Sequence, residues 1–143
     1  MAQIKQSTKP VSSKSINREW HIIDMKDQVL GRSANEIAQL LQGKHKTNYV
    51  TYLDMGDNVV VINAKLLKVT GSKTDDKIYT YYSGYPGGLK EVPLKTLLDR
   101  KPSEVIRHAV SGMLPKNKLR DRRLARLHVY ADEKHPHGDK ITK

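Results

Sequence analysis

The chain has 143 residues, a formal net charge of +11 and a sequence pI near 9.8. That length fits one ordinary domain, and so large a cationic excess points to an anionic partner: nucleic acid, an acidic membrane or an acidic protein. The absence of Cys excludes disulfides, Cys-ligated zinc and thiol nucleophiles; Phe is also absent and Trp20 is the only Trp, so Ile, Leu, Val and Tyr must fill the core.

Residues 1–18 are polar, rich in Ser and Lys and interrupted by Pro10, and they read as a flexible basic arm. They hold no apolar segment, which argues against a secretory signal; the basic, Ser-rich composition leaves an organellar presequence as the alternative, without the amphipathic pattern such a segment needs. Nowhere does an apolar run approach the roughly 20 residues of a membrane span. Residues 20–25 are short and β-branched, a strand. Leu30, Ala34, Ile37, Ala38 and Leu41 recur at helical spacing, with Ser33 and Glu36 as a capping box and Gly43 as a left-handed stop, which predicts a helix over 32–42. A polar, basic loop follows at 44–49. Residues 58–63 are almost continuously β-branched, as in a strand buried on both faces. Residues 71–73 form a turn, 77–82 a strand and 84–88 a glycine loop. Helices are predicted over 92–100, with Pro93 in the first turn, and from Pro102 to a stop at Gly112 and Pro115. A further helix at 118–125 leads to a last strand at 127–131, and the tail 132–143 looks frayed.

Strands alternating with helices predict an α/β sandwich with a mostly parallel sheet. The domain occupies residues 19–131, between the arm and the tail. In such folds, function gathers in the loops at strand ends, here 44–49, 71–77 and 84–88. In the last of these, adjacent glycines let backbone N–H groups approach a phosphate and Tyr85 can stack on a base; the alternative is a tight connection. No Gly-x-Gly-x-x-Gly or Walker lysine accompanies it, so no nucleotide cofactor is expected. Lys44-His45-Lys46 reads either as a phosphate clamp or as a solvated loop. The histidines are scattered and form no metal set, and no Ser-His-Asp arrangement is evident, so neither a metal nor a catalytic site is expected. Positive charge comes from the 44–46 loop, from Lys65, Lys68, Lys73, Lys77 and Arg100-Lys101, and most densely from 112–127. There Lys116, Lys118, Arg120, Arg122, Arg123 and Arg126 surround a single acid, Asp121, while Leu119, Leu124 and Leu127 pin the stretch to the fold. Cations spread over several segments suit a protein that meets folded RNA from several sides.

These motifs, in order, resemble the bacterial branch of the thirteenth large-subunit ribosomal protein family. The likeness runs from residues 20–24 through Leu30-Gly31-Arg32, Gly43-Lys44-His45-Lys46, Asp54-Met55-Gly56-Asp57, Val69-Thr70-Gly71-Ser72-Lys73 and Gly84-Tyr85-Pro86-Gly87-Gly88. It continues with Arg107, Val110-Ser111-Gly112-Met113-Leu114-Pro115 and Leu127-His128-Val129-Tyr130, and covers about residues 19–135. The resemblance implies a three-layer α/β/α sandwich with a four-stranded parallel sheet. It also implies binding of large-subunit ribosomal RNA (rRNA), a part in early subunit assembly, neighbouring large-subunit proteins as partners, and no catalysis. The RNA-facing residues would be Lys44, His45, Lys46, Lys73, Tyr85, Gly87, Gly88 and the basic residues from Met113 onward, with Lys77 beside Lys73. The expected location is the cytoplasm, on ribosomes, without membrane attachment or self-association. The chain departs from the family at Arg120-Asp121, where many members carry Gly-Arg. Two other readings remain: a free messenger-RNA-binding regulator of translation, and an α/β enzyme holding a nucleotide at the glycine loop.

Overall fold

A computed structural model describes residues 10–141; residues 1–9 of the predicted arm and the last two of the tail lie outside the described residues. The central sheet has three strands, β1 (Trp20–Asp24), β2 (Asn58–Ile62) and β5 (Leu127–Val129), in the order β1-β2-β5 and all parallel. β2 lies in the middle, and Val59, Val60 and Val61 are all fully buried, which is why it reads as an unbroken β-branched run. Val59 and Val61 face a core built with Ala34, Ile37, Ala38 and Leu41 of α1 (Leu30–Gln42) and with Ile106 and Val110 of a second helix. The opposite face carries Trp20 and His128, which stack at 5.6 Å across β2. It is covered by the C-terminal segment, whose His137 sits 5.0 Å from the Trp20 ring and 4.6 Å from the His128 ring and shares a 2.9 Å hydrogen bond with the Tyr130 hydroxyl. The segment that reads as frayed from Asp132 is therefore packed against the sheet.

The ends of α1 set the positions of the loops around it. The predicted capping box does not form. The helix starts earlier, because the Leu30 N–H donates to the Lys68 carbonyl at 2.9 Å, and Ser33 is buried inside the helix. At the other end Gly43 takes φ +79, and a Cβ there would lie 2.7 Å from the Met55 carbonyl oxygen. Only glycine meets both demands.

After β2 the chain makes a short α2 (Lys73–Asp76), then β3 (Ile78–Tyr82) and β4 (Leu89–Pro93), then α3 (Leu94–Arg100), α4 (Pro102–Met113) and α5 (Arg120–Ala125). β3 and β4 form a separate antiparallel hairpin, with Tyr79 opposite Val92 and Tyr82 opposite Leu89. This corrects two expectations. The α/β class holds, but the parallel sheet has three strands rather than four. Residues 92–93, read as the start of a helix, belong to β4, and the helix begins only at Leu94. A small cluster of Leu94, Leu97 and Val105, with Tyr79, Val69 and Val92 against it, fastens the hairpin to α3 and α4.

Candidate nucleic-acid interface

The segment between α1 and β2 carries two acids, and each gathers bases around it. Asp57, just before β2, has no solvent exposure. One carboxylate oxygen takes Nε2 of both His21 (3.1 Å) and His45 (2.9 Å); the other accepts from the Glu19 N–H (3.1 Å) and from Lys46 Nζ (2.5 Å). Burial pushes this carboxyl up, but the Lys46 ammonium, the Glu19 N–H and His21 outweigh it and hold it below its ordinary value. Lys46 Nζ also donates to the carbonyls of Asn17 (2.6 Å) and Met55 (3.0 Å). An ammonium has three N–H donors, and Lys46 uses all three inside the protein. Of the 44–46 loop, Lys44 and an edge of His45 remain outward.

His21, His45 and Asp57 offer three ligand atoms within 4.8 Å of one another, the one such group among the described residues. Sequence order had scattered these histidines; the parallel pairing of β1 with β2 brings His21 beside Asp57, and the loop after α1 brings His45 to the same carboxylate. The Lys46 ammonium lies against the same carboxylate, so the three groups form part of a salt-bridged clamp.

Asp54 organises the basic helix. Arg126 donates through both terminal nitrogens to its carboxylate, at 2.5 and 2.6 Å, and Arg126 Nη2 also reaches the Leu41 carbonyl at 3.4 Å. Arg123 Nε lies 3.7 Å and Arg18 Nη2 3.8 Å from the same carboxylate. Arg123 is only 1% exposed and Arg126 only 9%. Both stand among the residues expected to face RNA, and the structure puts their charge inside the fold instead. Arg120, half-buried, donates to the Ser111 hydroxyl. Lys116, Lys118 and Arg122 are exposed, and Arg122 shares with Arg18 and Arg126 the wall of an open groove of about 710 Å³. Gly56 lets these parts close up, since a Cβ there would lie 1.8 Å from the Leu41 carbonyl oxygen.

A second basic region lies at the other end of α1. Lys73, the first residue of α2, and Lys77, just after its end, are exposed, and Lys77 Nζ sits 5.3 Å over the Tyr79 ring. Beyond them the hairpin carries exposed Ile78, Tyr82 and Leu89, and at its tip Tyr85 is 75% exposed. The tip closes through the Gly88 N–H to the Tyr85 carbonyl (2.9 Å), with Gly87 at φ +72. The hairpin thus presents aromatic and apolar side chains to solvent with cations at its base.

The sequence pattern of the family described as "Ribosomal protein L13" matches residues 18–136. The chain belongs to this family. The large ribosomal subunit protein uL13 of Solibacter usitatus is 50% identical over 132 residues, 92% of each chain. That of Clostridioides difficile is 51% identical over 86% of each, and that of Geobacter sulfurreducens 46% identical over 92% of each. L13-family membership makes the chain a structural protein and not an enzyme. The structure divides the motif residues by role. In the Gly43–Lys46 and Asp54–Asp57 motifs, the glycines allow close backbone approach, the acids and Lys46 fix the fold, and Lys44 faces out. In the 69–73 and 84–88 motifs, Lys73 and Tyr85 face out. The sequence reading missed Arg18, Asp54, Asp57 and His21 as parts of this framework. The available signal was two acids flanking a glycine just ahead of a buried strand, in a chain with only 15 acids against 26 Lys and Arg.

Proposed function

We propose that the chain is a constituent of the large ribosomal subunit that binds its rRNA through phosphates and helps the subunit assemble early. The observation that carries this reading is what remains outward once the internal ion pairs are counted. Lys44, Lys73, Lys77, Lys116, Lys118 and Arg122 are exposed, as is the Tyr85 hairpin tip, on a chain of charge +11. Such exposed cations are suited to phosphates, and Tyr85 supplies a stacking face. The partners are large-subunit rRNA and the proteins beside it; the relatives' names as large-subunit proteins support this, and ribosomes in the bacterial cytoplasm are the corresponding location. No helix among the described residues is long and apolar enough to cross a membrane.

The test is binding of the full chain to isolated large-subunit rRNA over a salt series. Each phosphate contact contributes roughly 0.7–0.9 to the slope of log affinity against log salt, so a protein using most of these six cations should show a slope of about −4 to −5. Affinity indifferent to salt would remove the reading, as would a protein that never sediments with large subunits from cell extract.

A further inference from the structure

We propose that the cavity at the start of α1 is a site for a single unpaired nucleotide of the bound RNA, with the base inside and its phosphate on Lys73 and Lys77. This rests on the RNA-binding reading above and deepens it. The cavity has about 230 Å³ and lies between the first turn of α1, the 69–73 segment, β3 and α4. Its floor is apolar, from Leu30, Val69 and Leu94. One wall is the Tyr79 ring, half-buried and 5.3 Å from the His108 ring at 33°; Lys77 Nζ lies 5.3 Å over it and must swing from the ring to the phosphate when a base stacks there. Lys73, Lys77 and His108 are the ionisable groups at its mouth besides Tyr79, and no carboxylate lines it.

Each feature narrows the occupant. The volume is below the roughly 300–1,000 Å³ of cavities that take drug-sized ligands, so a dinucleotide is too large and one heteroaromatic ring system suits it. An apolar floor with an aromatic wall suits the face of a base, and two cations suit the phosphate attached to it; Asp75 and Asp76 stand between these lysines in α2 but outside the cavity lining. A paired base in a duplex keeps its faces stacked and cannot enter, so the nucleotide must come from a loop, bulge or end of the RNA. A protein side chain would use the floor but leave Lys73 and Lys77 unanswered.

Gly31 provides the decisive variant. It lines the cavity, and a Cβ at this position meets nothing within 4 Å. Gly31→Leu fills the space, leaves every charge in place and puts a better helix former into α1. The experiment is ultraviolet cross-linking of the protein to large-subunit rRNA with mass-spectrometric mapping, alongside binding measured for wild type, Gly31→Leu and the double variant Lys73→Gln/Lys77→Gln. Thermal melting verifies that each variant is folded.

The expected result is an adduct on Tyr79 or His108 from one unpaired rRNA nucleotide. Gly31→Leu should lose the adduct and bind about 5- to 150-fold more weakly, the worth of one base stack, with its salt slope unchanged. The double lysine variant should keep its fold and lose roughly 1.4–1.8 from the magnitude of the slope. If wild type binds rRNA but gives no adduct at Tyr79 or His108, and Gly31→Leu binds equally well, the nucleotide site is wrong and the RNA reading stands. Saturation of the cavity by free nucleoside monophosphate at micromolar concentration, without effect on rRNA binding, also overturns it in favour of a free nucleotide. If wild type does not bind rRNA at all, both readings fall together.

Discussion

A carboxylate without solvent contact must have its charge answered from within, and around Asp57 the answers come from β1, the residue just before it and the loop after α1. The backbone N–H of Glu19, the imidazoles of His21 and His45 and the ammonium of Lys46 all converge on it. Removing the negative charge strands Lys46, whose other partners are neutral carbonyls. Asp57→Asn is expected to destabilise the fold by about 3–5 kcal/mol, measured by denaturant unfolding at neutral pH. The pH dependence has a definite sign. The folded carboxyl titrates below its ordinary value, so it contributes stability that is present above about pH 4, its unfolded value, and is lost as pH falls through the folded one. The variant should lack this part of the acid limb; an identical acid limb in both proteins would contradict the account.

At the scale of elements, what could be read in the sequence was what depends on local pattern. α1 was legible because four buried positions recur at its period and glycine ends it; β2 because three buried valines stand together. The hairpin was half legible. β3 has strong β propensity of its own, but β4 is Leu-Lys-Glu-Val-Pro, which is a strand only because β3 lies beside it. The early start of α1 was equally hidden, since the group that receives the Leu30 N–H is the Lys68 carbonyl, far along the chain.

The C-terminal segment was illegible because its docking depends on Trp20 and His128 being brought to one face by the sheet. That docking should respond to pH. Burial pushes the His128 imidazole below its ordinary value, and His137, Arg107 and Lys140 push it further the same way. A folded-state value below the unfolded one means that the stability this neutral imidazole contributes is fully present above about pH 6.5 and is lost as pH falls from there through the folded value. Trp20, the only Trp, reports on it directly. Its emission should shift to the red as the solution is taken from about pH 8 to about pH 5, in the range where histidine titrates. His128→Gln should remove most of the shift; an unaltered shift in that variant would show that another group drives it.

For the molecule as a whole, its cations divide into two populations that one-dimensional charge density cannot separate. Arg123 and Arg126 sit in the densest basic stretch and are spent on Asp54, whereas Lys116 and Lys118 nearby are exposed. The division turns on an acid 72 residues away from Arg126, which is why sequence spacing did not reveal it. Arg126→Gln is expected to lower stability by several kcal/mol, the penalty for leaving a partly buried carboxylate without its forked partner. Lys118→Gln should change stability by no more than about 0.5 kcal/mol. Instead it should reduce the magnitude of the rRNA salt slope by roughly 0.7–0.9. Melting and salt titration of the two variants check the division. Of the six cations proposed for RNA, Lys44, Lys116, Lys118 and Arg122 lie toward one end of α1 and Lys73 and Lys77 toward the other, and its 13 residues span about 20 Å. Under the proposed RNA binding, a helix of that length would hold two contacts at a fixed separation.

The middle position of β2 has a consequence for synthesis. Its neighbour on one side, β1, is made before it, but its other neighbour comes at residues 127–129, together with the Arg126 that answers Asp54. At about 5–20 residues per second, several seconds pass with an apolar parallel edge open and a carboxylate unpaired. During that interval the nascent chain has an exposed strand edge that can pair wrongly, and its cooperative fold cannot close. A chain released after Ala125 should be cut rapidly by protease under conditions in which the full chain resists. Equal resistance of the two would show that the fold closes without its last strand.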